Sequence, residues 1–265
     1  LGPLLTRFGQ TVLATPGGCN IGSRPINLHL EAMRKMGAVM KVDDNNNIIA
    51  NAPDGLHGAD IELEHATVTG TENIMMAATL ADGETVLENA AREPEINDLA
   101  RCLVAMGAQI DGAGGERIVI RGVKELHGAH HRVMADRIET GTYMAAAAIT
   151  GGALTLTGTS AGTLGAVVDA FEACGVSVAR CNGSLDITSR SDAISPTDIT
   201  TQPYPGFPTD MQAQFMALLT TANGASTVNE TIFENRFMHV PELMRMGANI
   251  ALQGSTAVIR GVSNL

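Results

Sequence analysis

Apolar residues recur at spacings of three and four in four separate stretches of the chain: LHLEAMRKMGAVM, LARCLVAMGAQI, VVDAFEACGVSV and VPELMRMGANI. Each stretch reaches a glycine (Gly37, Gly107, Gly175 or Gly247) and passes into a strand-like run. The spacing predicts an amphipathic helix stopped by a glycine and followed by a strand. Those glycines fall at intervals of about 70 residues, so one supersecondary unit repeats along the chain.

A second kind of helix lies within each repeat. TGTENIMMAATLADG, ETGTYMAAAAITGG and TDMQAQFMALLTTANG open with Thr or an acid, run through Met and Ala, and close on Gly. Between helices, ETVLENA, ERIVIRGV, ALTLTGT, STVNET and TAVIRGV alternate as strands do. The predicted unit is strand, helix, strand, helix, strand, strand. Ala-rich, uncharged helices such as residues 143–149 have no polar face, so they are expected to lie buried with sheets packed around them. The alternative is an ordinary two-layer α/β protein whose periodicity is accidental.

Composition narrows this picture. A chain of 265 residues, 45% hydrophobic and 17% charged, is globular and long enough for one large or two ordinary domains. No apolar stretch approaches the ~20 residues of a membrane helix, and no signal peptide opens the chain, so a soluble, cytoplasmic protein is expected. The opening LGPLLTRFG lacks Met and reads as the body of an apolar helix, so the sequence is expected to be a piece of a longer chain. A formal charge of −11, no Trp and only 3% aromatics argue against a nucleic-acid groove. Anionic ligands would need local cations.

Four cysteines, Cys19, Cys102, Cys174 and Cys181, have neither zinc-site spacing nor the density of a disulfide scaffold. Cys102 and Cys174 lie in helix-like apolar patterns and read as structural. Cys19 differs, because in PGGCNIGSRPINLH it stands among Gly17, Gly18 and Gly22. Such a backbone is exposed and contorted, which asks for a chemical role; an unreactive thiol in a turn is the alternative. In the same stretch Pro25 suits the first position of a helix, with Ile26, Leu30, Met33 and Gly37 on one face. The free N–H groups of Ile26, Asn27 and Leu28 would then favour an anion, although such a start is more often only a cap. In FPTDMQAQF, Thr209 and Gln212 are spaced as a capping box, which puts Asp210 in the first turn of a helix. The charged block AREPEI reads either as a solvated loop or as a regulatory or product-contacting segment.

PGGCNIGSRPINLH, ENAAREPEINDLA, DRIETGTYMAAAA, FPTDMQAQF and TIFENRFMHVPELMRMGA together resemble the UDP-N-acetylglucosamine enolpyruvyl transferases (1-carboxyvinyltransferases) over almost the whole chain. The resemblance implies two inside-out α/β barrels built from βαβαββ units, three to a domain, with the active site in the cleft between domains. About four of the six units are present. The family's early Lys-Asn segment and its late Arg segment have no counterpart here. Residues 1–135 would be the remainder of the first domain and residues 136–265 part of the second, with the crossing near Arg137.

The implied reaction moves the enolpyruvyl group of phosphoenolpyruvate to the 3-hydroxyl of UDP-N-acetylglucosamine and releases phosphate, the committed step toward peptidoglycan. These two small molecules are the expected partners, with no nucleic acid, membrane, metal or cofactor; the oligomeric state is left open. Cys19 would protonate the methylene carbon, because an ordinary thiol with a pKa of ~8.5 is mostly protonated near pH 7, and its thiolate can also form a covalent adduct. The glycines would let its loop act as a lid. By the same resemblance, Arg24, Pro25, Ile26, Asn27 and Leu28 contact the UDP-sugar, and Arg24 also faces the phosphate of phosphoenolpyruvate.

By the same resemblance His65, Thr67 and Val68 would form a second nucleotide-binding turn, with His65 where family members often carry Lys or another residue. Asp210 would take the hydroxyl proton, Ile232 would touch the nucleotide through its backbone, and Arg236 would lie near the phosphoenolpyruvate carboxylate. The bland alternatives are a helix-stabilising charge for Asp210 and a surface salt bridge for Arg236. Among rival readings, the sister enzyme acting on shikimate 3-phosphate shares the fold class, and a truncated, non-catalytic nucleotide-sugar binder remains. An RNA-terminal phosphate cyclase would need a nucleophilic His and an NTP motif that the sequence lacks.

Overall fold

The computed structural model describes residues 1–15, 21–22, 26–190 and 194–265. Contacts divide them into two units, one comprising residues 1–134 without Ile21 and Gly22, the other residues 135–265 with that pair. The first unit runs α1 (Gly2–Phe8), β1 (Gln10–Ala14), α2 (Asn27–Lys35), β2 (Val39–Val42), β3 (Asn47–Asn51), then β4 (Asp60–Glu62), α3 (Val68–Ala78), β5 (Glu84–Glu88), α4 (Pro94–Ala105), β6 (Gln109–Asp111), β7 (Arg117–Arg121). Its sheets have orders β1-β3-β2, antiparallel, and β4-β5-β7-β6, with only β4 and β5 parallel.

The second unit repeats this plan. It runs α5 (Arg137–Ile149), β8 (Ala153–Thr157), α6 (Gly165–Ala173), β9 (Ser177–Cys181), β10 (Ser184–Thr188), then β11 (Ile199–Thr200), α7 (Gln212–Leu219), β12 (Ala225–Asn229), α8 (Val240–Arg245), β13 (Asn249–Gln253), β14 (Thr256–Arg260). The sheets are β8-β10-β9 and β11-β12-β14-β13, with only β11 and β12 parallel. The expected βαβαββ unit is complete from β4 to β7 and from β11 to β14. In the other two repeats the leading strand is missing among the described residues, and their sheets are three-stranded.

One physical device stops a helix in all four repeats. Gly37, Gly107, Gly175 and Gly247 take φ of 96°, 103°, 84° and 109°, a region open to glycine at little cost. After α2, Gly37 N–H donates to Arg34 O at 2.9 Å and Ala38 N–H to Met33 O at 2.9 Å. The same crossed pair recurs after α4, α6 and α8 and satisfies helix-end carbonyls that would otherwise be orphaned.

Helices α3 and α7 occupy the inside of their units. Along α3 only Thr69 is exposed, and along α7 no residue is. Strands β5 and β7 pack on α3, and β12 and β14 on α7, each burying residues such as Leu87, Ile118, Val228 and Ile259. On the solvent side, Arg121 bridges Glu84 at 2.9 Å and Asp111 at 2.8 Å. With few aromatics available, the first core is mostly aliphatic and Met: Leu5, Met33, Met36, Ile74, Met75, Ile96. The second centres on Phe215, whose ring lies 4.8 Å from Phe171 and 5.2 Å from Phe207.

The Ala-rich stretch of α5 departs from the expectation of all-round burial. Met144, Ala145, Ala147 and Ala148 are buried, but Tyr143 is 53% exposed. Small residues along one face admit α7 and its preceding turn closely: a Cβ on Gly141 would lie 2.7 Å from Met211 Sδ. The described neighbours of α5, among them α7, β8 and β10, leave Tyr143 open. No helix among the described residues is long and apolar enough to cross a membrane.

Candidate active site

In the second unit two loops meet. The first is the turn Thr209–Met211, a short 3-10 segment after Pro208 that carries Asp210 into α7. The second is the connection from β12 to α8, which carries Ile232 and Arg236. Arg236 Nη2 donates to Asp210 Oδ1 at 2.7 Å, and its guanidinium lies 5.5 Å from the Phe233 ring centre. Arg236 is held at 19% side-chain exposure while Asp210 is 56% exposed, so the base candidate faces solvent and the cation is braced behind it.

The capping box does not form. Thr209 donates its hydroxyl to Glu230 Oε2 at 2.8 Å instead of accepting from a helix N–H, and neither turn nor helix has a side-chain cap. Gln212 is fully buried, and neither atom of its amide has a hydrogen-bond partner among the described residues. The charge-assisted bond to the buried carboxylate fixes the Thr209 hydroxyl in an orientation from which its lone pairs cap no helix N–H.

Glu230, at the end of β12, is only 3% exposed. Its Oε1 accepts from Thr201 Oγ1 at 2.9 Å, from Ile232 N–H at 2.8 Å and from Phe233 N–H at 3.2 Å. With the Ile232 N–H engaged, a backbone contact between Ile232 and a ligand falls to its carbonyl. His239, at the N-terminus of α8, has a pKa lowered first by burial and then by the Arg236 charge. Its Nε2 is buried without a partner among the described residues. Asn235 N–H donates to Ile21 O at 2.9 Å, which brings the described end of the glycine-rich stretch to the same loop.

The described candidates of the first unit sit at or just before helix starts. Cys19, Arg24 and Pro25 lie outside the described residues. Helix α2 begins at Asn27, with Ile26 as its uncapped N-cap, so the first helical position falls later than Pro25. Its buried face is Leu28, Ala32, Met33 and Met36, not the Ile26–Leu30 line: contact with α3 and β4, which periodicity alone cannot register, sets the rotation. Asn27 is exposed at the helix start and Leu28 is buried.

Thr67 caps α3, its hydroxyl accepting from Gly70 N–H at 3.3 Å; Val68 is half-buried and His65 exposed in the preceding loop. In AREPEI, Arg92 pairs with exposed Glu116 at 3.4 Å, whereas Pro94 opens α4 and Ile96 is core. The block is thus a solvated residue followed by a helix start. Among the described residues no cluster of His, Cys, Asp or Glu could hold a metal.

The family model for EPSP synthase (3-phosphoshikimate 1-carboxyvinyltransferase) matches residues 1–265. The chain belongs to this family. Within the EPSP synthase family it is 55% identical over all 265 residues to the UDP-N-acetylglucosamine 1-carboxyvinyltransferase of Ruegeria pomeroyi. It is 57% identical over the same residues to the protein of that name from Gluconacetobacter diazotrophicus. In each case the chain spans 63% of the relative's length. The enolpyruvyl transferase NikO from Streptomyces tendae superposes with a TM-score of 0.86 at 22% identity, over 98% of this chain and 62% of that one. EPSP synthase from Acinetobacter baumannii gives 0.69 at 20% identity, over the same shares. These structures establish the family fold.

Sequence reasoning passed over Glu230, Thr201 and His239. The only local signal was an acid at the end of a strand in VNETIF, and nothing in its neighbourhood says that it is buried.

Proposed function

We propose that the full-length protein transfers the enolpyruvyl group of phosphoenolpyruvate to the 3-hydroxyl of UDP-N-acetylglucosamine, in the cytoplasm, as a step of peptidoglycan synthesis. The observation that carries this reading is the 52–57% identity, across every residue of the chain, to proteins named for that reaction. Likeness to an EPSP synthase structure stands at 20% identity, which disfavours shikimate 3-phosphate as acceptor.

The chemistry asks for an acid, a base and cations, and no redox or metal step enters it. Asp210 takes the proton from the sugar hydroxyl as the oxygen bonds to the central carbon of phosphoenolpyruvate, and Cys19 delivers a proton to the methylene carbon. The bond to phosphate then breaks and a methyl proton leaves, which restores the double bond. Arg24 and Arg236 offset the charge of phosphate and carboxylate, while Pro25, Ile26, Asn27, Leu28, His65, Thr67, Val68 and Ile232 hold the nucleotide sugar. These residues divide between domains 1–135 and 136–265. The geometry that supports the assignment is the Arg236–Asp210 pair, which sets a cation beside an exposed carboxylate.

Phosphate release by the full-length gene product tests the reading. Release that depends strictly on UDP-N-acetylglucosamine is expected. Dependence on shikimate 3-phosphate would assign the sister reaction, and nucleotide-sugar binding without release would leave a binder.

A further inference from the structure

Glu230 is a carboxylate in a place where burial is costly unless every lone pair is used. It accepts four hydrogen bonds, from donors in three separate segments. Thr201 belongs to the stretch after β11, Thr209 to the turn before α7, and Ile232 and Phe233 to the loop after β12. Thr201 closes the circle, since its hydroxyl also accepts from Thr231 N–H at 2.9 Å. Asp210 follows Thr209 directly, and Arg236 lies three residues beyond Phe233. A single buried side chain therefore tethers both loops whose tips meet in the Arg236–Asp210 contact.

We propose that Glu230 is a positioning residue that sets the Asp210 turn against the Ile232–Arg236 loop through its four accepted hydrogen bonds. The proposal rests on the reaction assigned above for its kinetic consequences, but not for the tether itself. Its two arms have different expected effects. The Thr209 arm holds the base alone, whereas the amide arm orients the loop that faces the nucleotide.

Two variants of the full-length protein separate the arms. Thr209→Val keeps the shape and removes only the bond to Glu230 Oε2, so kcat should fall about tenfold while Kd for UDP-N-acetylglucosamine stays within about threefold. Glu230→Ala removes both arms, so kcat and nucleotide-sugar affinity should each fall about tenfold or more. Amide exchange at Ile232 and Phe233 should accelerate in Glu230→Ala, with strand amides at Val228 and Ile259 unchanged. Normal kcat in Thr209→Val, or unchanged exchange at both amides in Glu230→Ala, overturns the proposal. Should Glu230→Ala fail to fold, Thr209→Val decides by its split between kcat and Kd. If the unaltered protein releases no phosphate, the reaction is wrong, and the exchange measurement still decides whether Glu230 tethers the loop.

Discussion

Replacing Asp210 by Asn removes a charge and almost nothing else. The Asn carbonyl can still accept from Arg236 Nη2, the 2.7 Å contact of the native pair, and the Thr209–Glu230 bond is untouched. With the Asp210 side chain 56% exposed, the ion pair is screened by water and is worth about 0.2–1 kcal/mol. That corresponds to a loss of at most about 4 °C in Tm. Removal of a general base is a larger effect, ~10²-fold in kcat or about 2.7 kcal/mol of barrier.

The two readings of Asp210 thus separate by more than the uncertainty of either. Phosphate release by the full-length variant and a thermal melt on the same preparation give both numbers. Expected are a kcat reduced by about 10² or more, UDP-N-acetylglucosamine binding within a few-fold, and a small shift in Tm. A Tm lowered by a few degrees with kcat within about threefold would show that Asp210 only braces Arg236.

Two further outcomes follow from the structure. The Glu72 carboxyl is pushed above its ordinary 4.5, first by burial and then by Glu95 and Glu93. Because the raised value belongs to the folded state, its penalty is absent below about pH 4.5 and grows as pH rises through the interval up to the folded value. Glu72→Gln should therefore melt higher than the parent at pH 7, with the gap closing toward pH 4; an equal or lower Tm at pH 7 contradicts this. A Cβ on Gly122 would lie 1.6 Å from Ala81 O, and one on Gly261 1.7 Å from Ala222 O, at matching crossings of two repeats. Gly122→Ala and Gly261→Ala should each destabilise by about 1–3 kcal/mol or more, and a melt unchanged within about 1 °C would contradict the close approach.

The repeat and its elements were legible because their causes are local. Apolar spacing, helix-stopping glycines and strand alternation act within a few residues, so Gly37, Gly107, Gly175 and Gly247 marked the repeats before any contact was known. All four adopt the left-handed backbone. Tertiary structure decided what depends on competition between distant partners. Thr209 has the spacing of a cap, yet its hydroxyl is claimed by Glu230, 21 residues away. Asp210 and Arg236 meet across 26 residues, and Glu230 reaches Thr201 across 29. The rotation of α2 and the exposure of Tyr143 likewise follow from which neighbours press on each helix, since a helix presents its pattern to all sides and packing selects the face. A chain sequence carries the donors and acceptors, but burial determines which of them outbids the rest, because an unmet charge in the interior costs far more than a lost cap at the surface.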